Sequence, residues 1–467
     1  MANKITTTYR SEIDKNARFE SRYFYNRNLL TSTFEKYGYK TINQIADLKS
    51  GSTPEHSDEK KNIDDNFFIK SADVKRYNLN ENTISYVTSE IHKSRKTKLV
   101  FPNDILVSNT GKYLGFACVV PEEITESTTN QNISILKLFK EEKDFTPYFI
   151  TAYLNSLFGQ REIESLLTLT GQKYLNSSNF KKLRIPKVEN KLIKNVSDKM
   201  QLAISKETEA MKLFEQAKSL LYKKLNVDFA KIEKQKYFST SLSNFEKADL
   251  WIPLYSYPLF VNTLKEVQKK FQTVSLGSIA TIKKGDETGS ENYIGYIEKR
   301  KFDIPFVRTS DIVNYETDQY PDFYIPKEVY NELGQELSAG EVLFTKDGKI
   351  GMVGMITEND KTIVASGLAR IKLKKEAKQY NITSEFLFLI LALKEFGIYG
   401  SKRRTVVAST IPHLREERLK EIEIPILDKT SIDEITAIVK QAFELKDERK
   451  LLIREVRESI DKYFENT

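Results

Sequence analysis

The stretch "PFVRTSDI", residues 305–312, decides the fold because the chain writes it twice. "FFIKSADV" stands at 67–74. Phe68, Ile69, Lys70, Ser71, Asp73 and Val74 match Phe306, Val307, Arg308, Thr309, Asp311 and Ile312 at an offset of 238 residues. Other blocks recur around this pair in the same order. "IADLKSG" at 45–51 parallels "IATIKKG" at 279–285, and "FPNDILVSNTGK" at 101–112 parallels "SAGEVLFTKDGK" at 338–349. "NQNISILKL" at 130–138 parallels "ASGLARIKL" at 365–373, and "LRIP" at 183–186 parallels "IEIP" at 422–425. The offset drifts only between 234 and 239. One shared octapeptide could arise by chance. Five ordered blocks mean two copies of one domain.

Each copy reads as β-rich early and helical late. Runs such as "DILVS", "FACVV" and "ISILKL" are β-branched and bounded by Gly, Asn and Pro. "YFITAYLNSLFGQREIESLL" at 148–167 and "SEFLFLILALKEFGIYG" at 384–400 have helical length. Each copy then closes on a strand-like Ile-Pro, and a long helix follows. In the first helix Ile193, Val196, Met200, Ala203, Glu207, Ala210, Phe214, Ala217 and Leu221 alternate steps of 3 and 4. In the second, Ile432, Ile435, Val439, Ala442, Lys446, Arg449, Ile453, Val456 and Ile460 keep the same steps. Both are heptad seams with polar interruptions. Helices that each pack only on their own domain would show a wider apolar stripe. A strict two-position seam favours an antiparallel coiled coil between the two. The expected fold is therefore α+β and pseudo-twofold. Its parts are a first repeat domain at 1–186, a central long helix at 187–227, a second repeat domain at 228–426 and a C-terminal long helix at 427–467. Twofold proteins suit twofold substrates, of which DNA half-sites are the commonest.

Composition narrows the class. The 467 residues are 40% hydrophobic and 30% charged, enough for a sizeable core and too many for one ordinary domain. No run of 18 apolar residues suggests a membrane span. The polar start "MANKITTTYRSEIDKNARFE" lacks the apolar centre of a secretory signal, so a cytoplasmic chain is expected. The single cysteine, Cys118, lies in an apolar run and reads as a buried structural thiol. A formal charge of +8 permits nucleic-acid binding without requiring it, since clustered cations matter more than the total. Two clusters occur, "HKSRKTK" at 92–98 and "SKRR" at 401–404. Either could equally be a solvated loop.

The tools of an enzyme are missing. His56, His92 and His413 show no metal-like spacing. "TGK" and "DGK" are not phosphate loops. Leu106 and Leu343 replace the first glycine, and Tyr113 and Ile350 replace the hydroxyl residue after the lysine. "GKIGMVG" has the wrong glycine spacing for a dinucleotide loop. No Asn/Asp-Pro-Pro-Tyr stretch of an amino-methyltransferase and no acid-plus-lysine nuclease cluster is found. The expectation is a binder with no catalytic residue and no metal site.

The doubled domain, the "IADLKSG" and "IATIKKG" openings, the "FIKSADV" and "FVRTSDI" blocks, the closing Ile-Pro and the long helices resemble the specificity (S) subunit of a type I restriction–modification enzyme. The resemblance covers nearly the whole chain. It implies that each repeat is a target-recognition domain reading one half of a bipartite double-stranded DNA target. It also implies that the coil spaces the domains and docks two modification subunits, which bring S-adenosylmethionine and methylate adenine. Two restriction subunits would add translocation and cleavage with ATP and Mg, and no cofactor is expected on this chain. Two other readings stay open: a type IIB-like specificity subunit with a fused methylase–nuclease partner, and a DNA-independent interaction scaffold.

The resemblance does not name the residues that touch DNA, so chemistry must. Phosphates call for cations and hydroxyls, and bases for Arg, Asn, Gln or Lys. In the first domain the candidates are Lys70, Ser71, Lys93, Arg95, Lys96, Lys98, Asn109, Lys112, Gln172 and Lys173. In the second they are Arg308, Thr309, Lys346, Lys349, Lys402, Arg403 and Arg404. The Gly-Lys turns recur at one place in both domains, although a plain hairpin turn with an exposed lysine would look the same. Asp73 and Asp311 read as turn braces. Tyr174 could support a flipped base, or simply fill the core. Glu207 and Lys446 are each fifth of nine seam positions, so antiparallel pairing would set them opposite each other and fix the register. The seam from 193 to 221 would then span roughly 42 Å, a little over one DNA turn of roughly 34 Å.

Overall fold

The computed structural model describes residues 21–465, apart from 55–56, 58–64, 95–97, 169–172, 236, 249, 290–291, 293–302 and 409–410. The fold is α+β. The chain forms two compact units. One runs up to Thr208 and takes in the chain from Glu448 onward, and the other is Glu209–Asp447.

In the first unit a four-stranded antiparallel sheet has the order Ala46–Ser50, Ile133–Leu138, Ile105–Ser108, Ala117–Val119. Ile105, Leu106, Val107, Ile133, Ile135 and Leu136 are all fully buried. Both faces are covered, which is why "DILVS" reads as a continuous apolar run rather than an alternation. A second, three-stranded sheet sets Asn66–Ile69 between Ser85–Val87, antiparallel, and Ser127–Thr129, parallel. Cys118 is buried in this core, and burial pushes its thiol far above the usual range.

The second unit repeats the plan strand for strand. The order Ala280–Lys284, Leu368–Leu373, Val342–Thr345, Val353–Met355 forms its four-stranded sheet. Ile304–Val307 lies between Tyr324–Ile325, antiparallel, and Ile363–Val364, parallel. The sequence repeat is thus a repeat of topology.

The late helices depart from the expectation. Residues 148–167 do not form one helix but two, Pro147–Asn155 and Leu157–Leu166. Ser156 between them is extended, and its hydroxyl accepts from Gly159 N, capping the second helix. In the second unit Ser384–Ala392 ends the same way. Leu393 is extended, a π-turn covers Lys394–Ile398, and Tyr399–Lys402 completes the segment. The glycine of "LFGQ" and "EFGI" allows both breaks. A Cβ at Gly159 would stand 2.0 Å from Tyr153 O, and one at Gly397 1.9 Å from Leu391 O.

The long helices span Asn190–Leu225 and Lys429–Glu465. Every apolar seam position named above is buried in each. In the first unit Lys199 pairs with Glu455 at 2.7 Å, and Lys206 pairs with Glu448. Numbers rise on one helix as they fall on the other, so the helices run antiparallel. The second unit keeps the same sense, with Phe214 on Phe443 (centroids 5.0 Å) and Lys224 on Glu434 (2.8 Å). Each helix also docks on the domain that precedes it. Thr146 caps a helix by accepting from Phe149 N, and its Oγ1 lies 2.6 Å from Ser197 Oγ on the central helix. Thr383 does the same for Phe386 N and meets Thr436 Oγ1 at 2.8 Å on the C-terminal helix. The compact units therefore divide each long helix between them. The sequence reading had set the helices apart as segments of their own.

Candidate nucleic-acid interface

The repeated block forms the same turn in both domains. Asp73 Oδ2 accepts from Lys70 N at 2.8 Å, and Asp311 Oδ2 from Arg308 N at 2.9 Å. Asp73 also accepts the Thr83 hydroxyl at 2.6 Å. Burial holds its carboxyl above the usual range, against the pull of those hydrogen bonds. Both acids brace a turn, as their chemistry suggested. Lys70 Nζ reaches Ser85 Oγ at 2.7 Å. Arg308 lies over the Phe323 ring at 3.8 Å and beside Asp322 at 3.5 Å. Ser71 and Thr309 are half-buried.

The Gly-Lys turns connect Ile105–Ser108 to Ala117–Val119, and Val342–Thr345 to Val353–Met355. Gly111 (φ +71) and Gly348 (φ +69) take the left-handed conformation at matching places. Lys112 and Lys349 beside them are exposed. A distant segment lies against each turn. Leu175 N donates to Asn109 O at 3.0 Å in the first domain, and Leu414 N to Lys346 O at 2.9 Å in the second. Thr110 pairs with Tyr174, and Asp347 with His413. Folding thus brings Asn109, Lys112 and Lys173 together in one domain, and Lys346, Lys349 and the "SKRR" region in the other. Thr309 joins them. A Cβ at Gly367 would meet Thr309 Cγ2 at 2.9 Å and Asp347 Oδ2 at 3.6 Å, and Lys346 N donates to Gly367 O at 2.9 Å.

Not every candidate at this place faces outward. Asn109 is buried. Lys346 is buried and held 3.4 Å from both Asp347 and Glu416. "SKRR" divides: Lys402 is exposed, whereas the arginines bond to protein. Arg403 lies over the Tyr255 ring at 4.9 Å and donates Nε to Tyr255 O at 3.0 Å. Burial, with Arg404 adding its charge, brings its pKa down to about 10. Arg404 is buried on Glu421 (2.9 Å), Gly400 O and Glu421 O. Lys93, Lys98 and Lys173 are exposed, and Arg95, Lys96 and Gln172 lie outside the described residues. The sequence reading missed the Asp347–His413 pair and a two-stranded ribbon, Val406–Ala408 with Ile411–His413. Its β-branched "VV" was the available signal.

Glu207 and Lys446 of the seams each meet the domain that precedes their helix. Asn78 Nδ2 donates to Glu207 Oε1 at 3.2 Å, and Arg449 Nε lies 3.2 Å from Glu207 Oε2. Lys446 Nζ, fully buried, lies 3.6 Å from Glu316 Oε1. Asn78 and Glu316 hold equivalent places on the short hairpins that follow the repeated block.

The sequence profile of the type I restriction modification DNA specificity domain matches residues 35–193 and 268–451, more than half of the chain. The chain belongs to that family. Among solved structures it is similar to the S subunit of a type I restriction–modification system from M. genitalium. The identity is 16%, over 91% of this chain and 95% of that one, with a TM-score of 0.31. It is also similar to the HsdS subunit of Thermoanaerobacter tengcongensis, at 14% identity over 92% and 96%, with a TM-score of 0.29. At such scores these likenesses carry no argument, and the family assignment rests on the sequence profile. No curated protein matches.

Proposed function

We propose that this chain is the sequence-reading subunit of a type I restriction–modification enzyme. Each domain reads one half of a bipartite double-stranded DNA target, and the antiparallel long helices set the spacing and dock two modification subunits. S-adenosylmethionine is bound by those partners, and ATP and Mg by restriction subunits, while this chain contributes no catalytic group. The assembly works in the cytoplasm. The observation that supports this reading is the duplicated convergence of a braced turn, an exposed Gly-Lys lysine and a distant segment. One reader written twice suits a target with two halves. Lys112 and Lys173 in the first domain, with Lys349 and Lys402 in the second, supply phosphate contacts. A pseudo-twofold relation between the domains, with Glu207 opposite Lys446, belongs to the same proposal.

The test is to express the chain with its modification subunits and map methylated adenines. Two constant half-sites separated by a fixed spacer are expected. Methylation of one continuous motif, or none, would refute the two-reader account. Salt-dependent binding of cognate duplex by the same complex separates it from a protein-only scaffold.

A further inference from the structure

The ribbon of the second domain carries apolar side chains on the outside. Val406 is 41%, Val407 63% and Ile411 58% exposed. A strand lying on a core buries alternate side chains. Here neighbours Val406 and Val407 are both exposed, so neither face of this strand is covered. Such an edge invites a partner.

The surroundings indicate which partner. Gly348 N donates to Pro412 O at 3.1 Å, which places the exposed Lys349 turn at the base of the ribbon. Exposed Lys402 ends the helix leading into the first strand, and exposed Arg415 follows the second. Three nearby acids are engaged, Asp347 with His413, Glu416 with Lys346, and Glu421 with Arg404, while Glu417 on the helix after the ribbon is exposed. An apolar ribbon among outward cations fits a polyanion whose apolar groups lie recessed between rows of charge. The major groove of DNA has that form. It admits a two-stranded β-ribbon, and the thymine 5-methyl group is its apolar feature.

We propose that this ribbon enters the major groove of the half-site read by the second domain, where Val406 and Ile411, which share one face of the ribbon, pack against thymine methyl groups. The proposal rests on the DNA-reading function above and names the residues that discriminate A·T pairs within it. Lys349, Lys402 and Arg415 hold the flanking phosphates.

The experiment uses the complex with modification subunits and the duplex target found by methylation mapping. Each thymine of that half-site is replaced singly by deoxyuridine, which removes only the methyl. At one or two positions the wild-type complex should lose roughly three- to fivefold in affinity, the worth of one buried methyl-sized group. The V406A/I411A variant should bind thymine DNA several-fold more weakly and show no further loss on uracil DNA. Its thermal midpoint and salt slope should be unchanged, because the side chains are exposed and uncharged. Affinity independent of every methyl overturns the proposal. So does a variant that loses the same further factor as wild type on uracil DNA, or one that loses its modification subunits on size exclusion. A complex that binds no duplex specifically overturns the DNA-reading function as well, whereas specific binding without methyl dependence overturns the ribbon alone.

Discussion

Gly51 and Gly285 end the repeated "KSG" and "KKG" turns, and the reason lies across the sheet. A Cβ at Gly51 would stand 2.1 Å from Thr129 Oγ1 and 2.3 Å from Asn130 O. At Gly285 it would stand 2.3 Å from the carbonyl oxygens of both Val364 and Ala365. Backbone cannot step aside as a flexible side chain can. Gly285→Ala should therefore cost at least about 1–3 kcal/mol in urea unfolding. Gly348→Ala meets open space and should cost only the left-handed penalty, about 1 kcal/mol. Equal midpoints for the two variants would discard the close-approach argument. Lys446 offers a second test. With Glu316 as buried partner, Lys446→Leu alone should destabilise by about 3–5 kcal/mol. Adding Glu316→Leu should recover most of that loss, since a buried pair is often no better than apolar packing. A double variant as unstable as the single one would show that the pair is not the unit that matters.

At the scale of elements, the run "SKRR" separates into a lysine that faces solvent and two arginines that hold the fold. Lys349→Ala and Lys402→Ala should each weaken cognate and random DNA alike and flatten the salt slope by about 0.9 for each phosphate left without its cation. Arg404→Ala should act mainly on stability, because it strips Glu421 of its buried partner. A melting temperature unchanged by Arg404→Ala, with a flattened slope, would return that arginine to the DNA. The paired caps make a further prediction. Thr146→Ala and Thr383→Ala should each cost about 1 kcal/mol, and by similar amounts, because each removes the same cap and the same hydroxyl contact to a long helix.

For the whole molecule, the repeat implies separable readers. Exchanging residues 18–186 for the equivalent segment of another family member should change one half of the methylated motif and leave the other intact. A change in both halves, or in neither, would count against it. The compact units suggest where such exchanges will fold. Each long helix is bonded to the domain before it through Thr146–Ser197 or Thr383–Thr436. A graft that keeps those hydroxyls should assemble, as measured by size exclusion.

The order of duplicated blocks determined the domain count, the matching strand plans and the two heptad helices, because these depend on local pattern repeated at one offset. The aspartate braces were also legible, since turn chemistry acts within a few residues. The breaks at Ser156 and Leu393 were not. Both lie inside runs of helical propensity, and only close approach across the kink requires Gly159 and Gly397. Nor could charge alone sort the candidate site. Lys346, Arg403 and Arg404 look like Lys349 and Lys402 in one dimension. Burial and distant partners separate them, Glu416 for Lys346, Tyr255 for Arg403 and Glu421 for Arg404, and those partners are chosen only when the chain closes on itself.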